Sequence, residues 1–245
     1  LLGRETDTQD SSGTILREAQ VIHTQAQVRQ AISSFTGSIW QVPPMYSALK
    51  VNGKKLCDLA REGIEVERKP RQIQIYQIDI LEICLPRVRL RVHCSKGTYI
   101  RTLCHDIGQT LGCGGCMEEL LRTSVGVFKL QDTVRLAQIQ ELAKEGRLEQ
   151  ILLPPDQLFC EYPKAAVTAP FRHMLANGNR LPSQALSYSQ PAGQHPASGQ
   201  PQKLRVYMDG IFYGIYEWNI IRSDYQPVKM FASGMPASKR NGTEG

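Results

Sequence analysis

A chain of 245 residues, 41% of them hydrophobic, is long enough to bury one large core or a core with a small satellite domain. Its formal charge of +6, from 29 Lys+Arg against 23 Asp+Glu, favours a polyanionic partner, nucleic acid first. No run approaches the roughly 20 apolar residues of a bilayer span, LLGRETDTQD has none of the features of a secretory signal, and seven cysteines lack the spacing of a disulfide framework, so the chain reads as a soluble, cytoplasmic protein with thiols and no membrane contact.

In chain order, Thr24 and Gln27 form the two ends of a capping box, and Val28, Ile32 and Phe35 follow at helical spacing, so a first helix is expected, closed by Gly37. After Pro43-Pro44 comes a basic, partly helical piece, Gly53 to Arg61. Leu56, Leu59 and Ala60 form its apolar stripe, Lys54, Lys55 and Arg61 face outward, and Gly63 can end it. From Gln72 to Leu85 the apolar residues follow one parity (Ile73, Ile75) and then the other (Tyr76, Ile78, Ile80), which predicts a buried strand with a phase change. Val88, Leu90 and Val92 alternate with Arg87, Arg89, Arg91 and His93, giving a second strand with a core face and a cationic face, paired with the first as an antiparallel hairpin. Ile100, Leu103, Cys104, Ile107 and Leu111 have helical spacing. A further helix is expected from Thr133, with Leu136, Ile139, Leu142 and Ala143 inward and Gly146 at its end. Leu153-Pro154-Pro155-Asp156 marks a boundary. Beyond it, strands at Leu204 to Tyr207 and Phe212 to Trp218 predict a small β domain around a mobile Gln/Ser/Pro/Gly-rich loop, Ser183 to Gln202, and a frayed tail from Gly234. The fold class is α+β.

Cationic groups at Arg87, Arg89, Arg91, His93, Lys96 and Arg101 run along a strand, a Gly97 turn and the next helix. They suit either a solvated face or a groove for a sugar-phosphate backbone, with Lys96 on phosphates and Tyr99 offering an aromatic face to an unstacked base. Arg101 differs: flanked by Ile100 and Leu103, it lies at the core margin and needs an anionic partner. Asp106, Asp7, Asp10 or an acid outside the chain could supply it, in a structural or a catalytic pair. Gln41 to Lys50 joins a stiff di-proline to Tyr46 and Lys50, with Lys54 and Lys55 close behind, as either a loop over the core or an arm reaching RNA. The Arg4 to Gly13 segment reads as a loop that packs its own Thr and Asp side chains. Cys113-x-x-Cys116 has no second pair to complete a zinc site, and the acids lack calcium-loop spacing. There is no Ser/His/Asp context, no nucleotide-type Gly-rich loop and no H-E-x-x-H.

Five stretches together resemble the bacterial tRNA pseudouridine synthase B family: G-R-E-T-D-T-Q-D-S-S-G from Gly3, Q-V-P-P-M-Y-S-A-L-K-V-N-G-K-K-L from Gln41, A-R-E-G from Ala60, H-C-S-K-G-T-Y-I-R-T-L from His93 and E-L-L-R-T-S-V-G from Glu119. Their number and order make the resemblance specific, and it covers essentially the whole chain, weakening towards the C-terminus. It implies a pseudouridine-synthase core of mixed and antiparallel sheet with flanking helices in residues 1–155, with an RNA-gripping insertion at about 41–70. A PUA-like RNA-binding domain in 156–235 and a tail in 236–245 would follow. The implied activity is isomerisation of uridine 55 in the T loop of tRNA by a monomer, without cofactor or metal. Arg101 would orient the catalytic aspartate and Leu120 would line the pocket of the target base. Tyr46, Lys50, Lys54, Lys55, Lys96, Tyr99 and Arg122 would meet RNA. The family's G-H-T-G-x-L-D-P nucleophile motif and its stacking tyrosine do not occur in this sequence. The expectation is therefore that both lie upstream of Leu1, and that the 245 residues alone are inactive. The competing expectation is a non-catalytic tRNA-binding or RNA-folding protein.

Overall fold

The structure, a computed structural model, describes residues 1–188 and 203–231, and its contacts divide the chain into two compact units, Leu1–Arg122 and Thr123–Gly245. The first unit begins with a short antiparallel pair, β1 (Arg4–Thr6) and β2 (Ile15–Glu18). Helix α1 (Gln25–Ser33) starts at the expected capping box: the Gln27 N–H donates to Thr24 Oγ1, and the Thr24 N–H donates to Gln27 Oε1 at 2.8 Å. The helix buries Val28, Ala31 and Ile32. It stops at Ser33, with Ser34 as a right-handed cap, so Gly37 does not close it. Gly37, at φ +109°, instead opens β3 (Gly37–Gln41), a backbone conformation that other residues adopt with strain.

The region that follows is partly hairpin. Asn52 and Gly53, both at positive φ, turn β4 (Lys50–Val51) into β5 (Lys54–Lys55), as an Asn-Gly pair does in a tight hairpin. Only then does α2 (Leu56–Arg61) begin, burying Leu56 and Leu59. Strands β6 (Arg71–Cys84) and β7 (Arg87–Cys94) form the expected antiparallel hairpin, and β3 pairs with β6 to complete a three-stranded sheet. The phase change in β6 is a pair of register irregularities, at Ile75/Gln77 and Ile80/Glu82. The first leaves Tyr76 outside the ladder and 54% exposed, which corrects its expected place among the buried residues. Helix α3 (Ile100–Leu111) packs with α1 on one face of the sheet around Val28, Ile32, Ile73, Ile75, Leu103 and Ile107. Gly108 is required there, because a Cβ on it would fall 2.2 Å from the Gly114 backbone.

The second unit opens with a small hairpin, β8 (Ser124–Val125) and β9 (Phe128–Lys129), and helix α4 (Leu136–Lys144). Thr133 ends a 3-10 turn over Leu130–Asp132 and does not start α4; Arg135 is its N-cap. No residue of α4 is buried, and Leu136 is 78% exposed, so the expected inward face is not covered by the described residues. A six-stranded sheet follows, built from β10 (Lys164–Val167), β11 (Leu181–Pro182), β12 (Leu186–Tyr188), β13 (Lys203–Met208), β14 (Ile211–Asn219) and β15 (Asp224–Met230). Its order is β11-β15-β14-β13-β10-β12, with β10 and β13 parallel. With helix α5 (Arg172–Ala176) it encloses Leu175, Leu204, Val206, Tyr216 and Tyr225. The first part of the expected Gln/Ser/Pro/Gly-rich loop, 183–188, belongs instead to the fold, because buried Ala185 and Leu186 bring it into the core and the sheet. Its remainder, 189–202, and the tail from 234 lie outside the described residues. The architecture is α+β, and among the described residues no helix is long and apolar enough to cross a membrane.

Candidate nucleic-acid interface

The turn between β1 and β2 is held by its own short polar side chains. Thr6 Oγ1 donates to Asp10 O at 2.7 Å, Asp10 Oδ1 accepts from Ser12 N–H and Oγ–H, and Asp7 Oδ1 accepts from Thr14 N–H at 2.8 Å. Asp7 and Asp10 are therefore structural acceptors. Gln9 sits at φ +60°, unusual for a side chain of its size. From there its Oε1 accepts from Thr102 Oγ1 at 2.8 Å and its carbonyl accepts from Met117 N–H. The turn thus links α3 to the Met117–Glu118 coil.

Arg101 lies on the first turn of α3, half-buried. Its Nη2 donates to Tyr46 O at 2.6 Å and its Nη1 to Thr8 O at 3.4 Å. None of Asp7, Asp10 and Asp106, the acids considered from sequence, pairs with it. The first two are engaged in the turn, and Asp106 lies further along α3, off the facing positions three and four residues on, with its carboxyl pushed up by burial, an effect the nearby His105 opposes. Two neutral carbonyls use part of the guanidinium's donor set and leave its charge without a counterion among the described residues. Tyr99, the N-cap of α3, is fixed by the buried Gln41 side chain: Nε2 donates to Tyr99 O at 3.1 Å and Oε1 accepts from Tyr99 N–H at 2.8 Å. Sequence reasoning passed over Gln41, Thr8, Gln9 and Thr102. The only signal for the first was its place directly before Val42-Pro43-Pro44.

The cationic face of β7 is answered at Arg87. Arg87 makes a bidentate pair with Glu118, which holds that carboxyl below the usual carboxylate range. Arg89 and Arg91 lie opposite Glu82 and Asp79 in the β6 register, and His93 packs on Tyr76 with ring centroids 4.8 Å apart. The sequence showed the arginines and not the acids that the hairpin would set beside them. Lys96 is exposed on the Gly97 turn (φ +84°), and Lys50, Lys54 and Lys55 are exposed on the β4–β5 hairpin. Tyr46 is half-buried beside Arg101 through its carbonyl. Leu120 (52% exposed) and Arg122 lie on the open coil after Glu118, which is moored by the Arg87 pair. Among the described residues no group of three or more His, Cys, Asp or Glu is placed to hold a metal. Cys113 and Cys116 are buried, and burial pushes the nearby Cys104 thiol up to about 11, which keeps it protonated and a poor nucleophile at neutral pH.

Residues 1–100 match the family model described as TruB family pseudouridylate synthase (N terminal domain), and residues 101–159 match that of the tRNA pseudouridylate synthase B C-terminal domain. The chain is 47% identical over 209 residues to tRNA pseudouridine synthase B of Lachnoclostridium phytofermentans, covering 82% of this chain and 67% of that protein. It is 37% identical over 241 residues to the protein of the same name from Dehalococcoides mccartyi, covering 98% and 76%. Among solved structures it is similar in fold to a chain of a Cbf5-Nop10-Gar1 complex (TM-score 0.58, 24% identity, 81% of this chain and 56% of that one). A second is a chain of an H/ACA RNP bound to a substrate RNA containing 2'-deoxyuridine (TM-score 0.61, 19% identity, 87% and 62%). The chain thus spans about three-fifths of those solved proteins' length.

Proposed function

Since the chain belongs to the TruB family of pseudouridylate synthases, isomerases that convert uridine to pseudouridine in tRNA, we propose that it serves this reaction at uridine 55 of the T loop, as a monomer in the cytoplasm. The isomerisation breaks the N1 glycosidic bond, turns uracil and joins C5 to the ribose, with C5 losing the proton that N1 gains. The elements balance without redox chemistry. The step needs a carboxylate as nucleophile or base, and Arg101 is the group that orients it and keeps it ionised. The observation that carries this assignment is the half-buried guanidinium on Tyr46 O and Thr8 O with no counterion among the described residues. It is a seat for an anion that Asp7, Asp10 and Asp106 do not fill. The family's aspartate motif is absent from the 245 residues, and we assign its place to residues preceding Leu1. Leu120, exposed on its coil, is the apolar wall for a flipped base. Lys50, Lys54, Lys55 and Lys96 reach phosphates, Tyr46 and Tyr99 contact ribose or base, and Arg122 faces RNA. The six-stranded sheet in 156–235 acts as a PUA-like RNA-binding domain.

One observation favours a second reading. Among the described residues no carboxylate reaches Arg101, and a protein made of these residues alone would bind tRNA without converting it. The test expresses the complete natural reading frame, incubates it with an unmodified T-arm stem-loop and quantifies pseudouridine by nucleoside mass spectrometry. Conversion without added cofactor or metal is expected, and Arg101→Ala should abolish it while RNA affinity falls only modestly. Binding without conversion would sustain the second reading. Equal loss of binding and conversion in Arg101→Ala would return that residue to the phosphate contacts.

A further inference from the structure

Gln41 is 2% exposed and lies at the end of β3, where the 42–70 arm leaves the sheet. Both ends of its side-chain amide are matched to one residue, with Nε2 on Tyr99 O at 3.1 Å and Oε1 on Tyr99 N–H at 2.8 Å. The amide therefore reads the Tyr99 backbone as a neighbouring strand would. Tyr99 is the N-cap of α3 and offers no side-chain cap of its own, so Gln41 fixes the entry of this helix from outside. Arg101 follows on the first turn, and its Nη2 reaches back to Tyr46 O at 2.6 Å. The stretch from Gln41 to Tyr46 passes through the buried Pro43-Pro44 pair, whose φ angles are fixed by their rings. Two chain segments, 41–46 and 99–101, are thus closed into a ring by hydrogen bonds at both ends, with one side stiff. Opening the Gln41 end leaves the bond from Arg101 to Tyr46 O to hold the first turn of α3 against the arm, while Thr102 Oγ1 still ties that turn to Gln9 Oε1 at 2.8 Å on its other side.

We propose that Gln41 is a positioning residue for the isomerisation: by clamping the Tyr99 backbone it holds the Arg101 guanidinium and the root of the arm in one geometry. The inference rests on the assignment of Arg101 made above. In the complete protein, Gln41→Leu keeps much of the volume and offers neither donor nor acceptor. Turnover of the T-arm uridine is expected to fall by about 10²-fold, the scale of a misplaced orienting group. The affinity for the stem-loop should stay within about twofold, a split that separates positioning from binding. Gln41→Glu keeps the acceptor for Tyr99 N–H, should recover part of the turnover, and provides the comparison if Gln41→Leu does not fold. In an Arg101→Lys background, Gln41→Leu should cost much less than in the wild type, because the group it positions is already altered.

A purely structural role would give equal losses of turnover and affinity, or a turnover loss that multiplies unchanged onto Arg101→Lys, and either result overturns the proposal. Amide hydrogen exchange gives a readout independent of turnover. In Gln41→Leu, exchange should quicken at Tyr99–Leu103 and not at Ile107–Leu111, and unchanged exchange at Tyr99–Leu103 overturns the clamp. Wild-type protein that binds RNA without converting it would remove the proposed function and the catalytic role of Gln41 with it, while the exchange result would still decide whether the clamp exists.

Discussion

A guanidinium can be held by carbonyls without being neutralised by them, and Arg101 is in that state, bound to Tyr46 O and Thr8 O at the start of α3. Its being Arg and not Lys matters, because a planar fork can bind carbonyls on one edge and keep donors for a carboxylate on another. Asp106 shows the opposite condition on the same helix: burial raises its carboxyl above 3.8, with His105 opposing. A raised folded-state value means that the folded chain binds the proton more tightly than the unfolded one. Stability should therefore fall as pH rises from about 3.8 through the folded value, and the full cost is present at neutral pH. Asp106→Asn is expected to raise the thermal midpoint at pH 7 and leave it nearly unchanged at pH 3; a lower midpoint at pH 7 would contradict the burial account. From sequence, the flanking Ile100 and Leu103 were enough to place Arg101 at the core margin. Which atoms receive it was illegible, since Thr8 and Tyr46 act through their main-chain carbonyls and any residue type supplies one.

At the level of elements, local chemistry decided the start of α1, while tertiary pairing decided the entry of α3 and the faces of the strands. Thr24 and Gln27 satisfy one another across the first turn of α1, so the helix began where the sequence put it. Thr24→Ala should cost about 1 kcal/mol in urea unfolding, the usual value of an N-cap; no measurable change would mean that the packing of Val28 and Ile32 sets the helix start unaided. Strand β7 behaved otherwise: its alternation was right, yet its charge was not wholly free, because Glu118 from another segment pairs with Arg87 and the hairpin register sets Glu82 and Asp79 opposite Arg89 and Arg91. The Arg87–Glu118 pair lies on an exposed surface, and its effect on stability has a definite sign with pH. Glu118 is held below its ordinary value of 4.5, so the pair contributes above that pH and fades as pH falls through the lowered value. Helix α4 had a clear apolar periodicity, and periodicity alone does not say what covers it.

For the molecule as a whole, a charge of +6 on 245 residues is modest, so RNA binding depends on where lysines are presented. The β4–β5 hairpin and the Gly97 turn present Lys50, Lys54, Lys55 and Lys96 in solvent, with Lys54 3.9 Å from Glu62, and apart from the Arg87–Glu118 pair of β7. Lys96→Ala should weaken stem-loop binding and flatten the plot of log affinity against log salt by about one unit, as loss of one phosphate contact does; an unchanged slope would remove Lys96 from the RNA surface. Periodicity, short-range hydrogen bonds and contiguous motifs carry the α+β class, the capping box, the β6–β7 hairpin, helix α3 and the family, so all of these were legible along the chain. Long-range contacts alone set Gln41 on Tyr99, end Arg101 on two carbonyls, pair Arg87 with Glu118 and bring 183–188 into the second core. These facts join residues tens of positions apart through backbone atoms or side chains of ordinary type. Folding brings such partners together, and no local pattern in the chain records that it will.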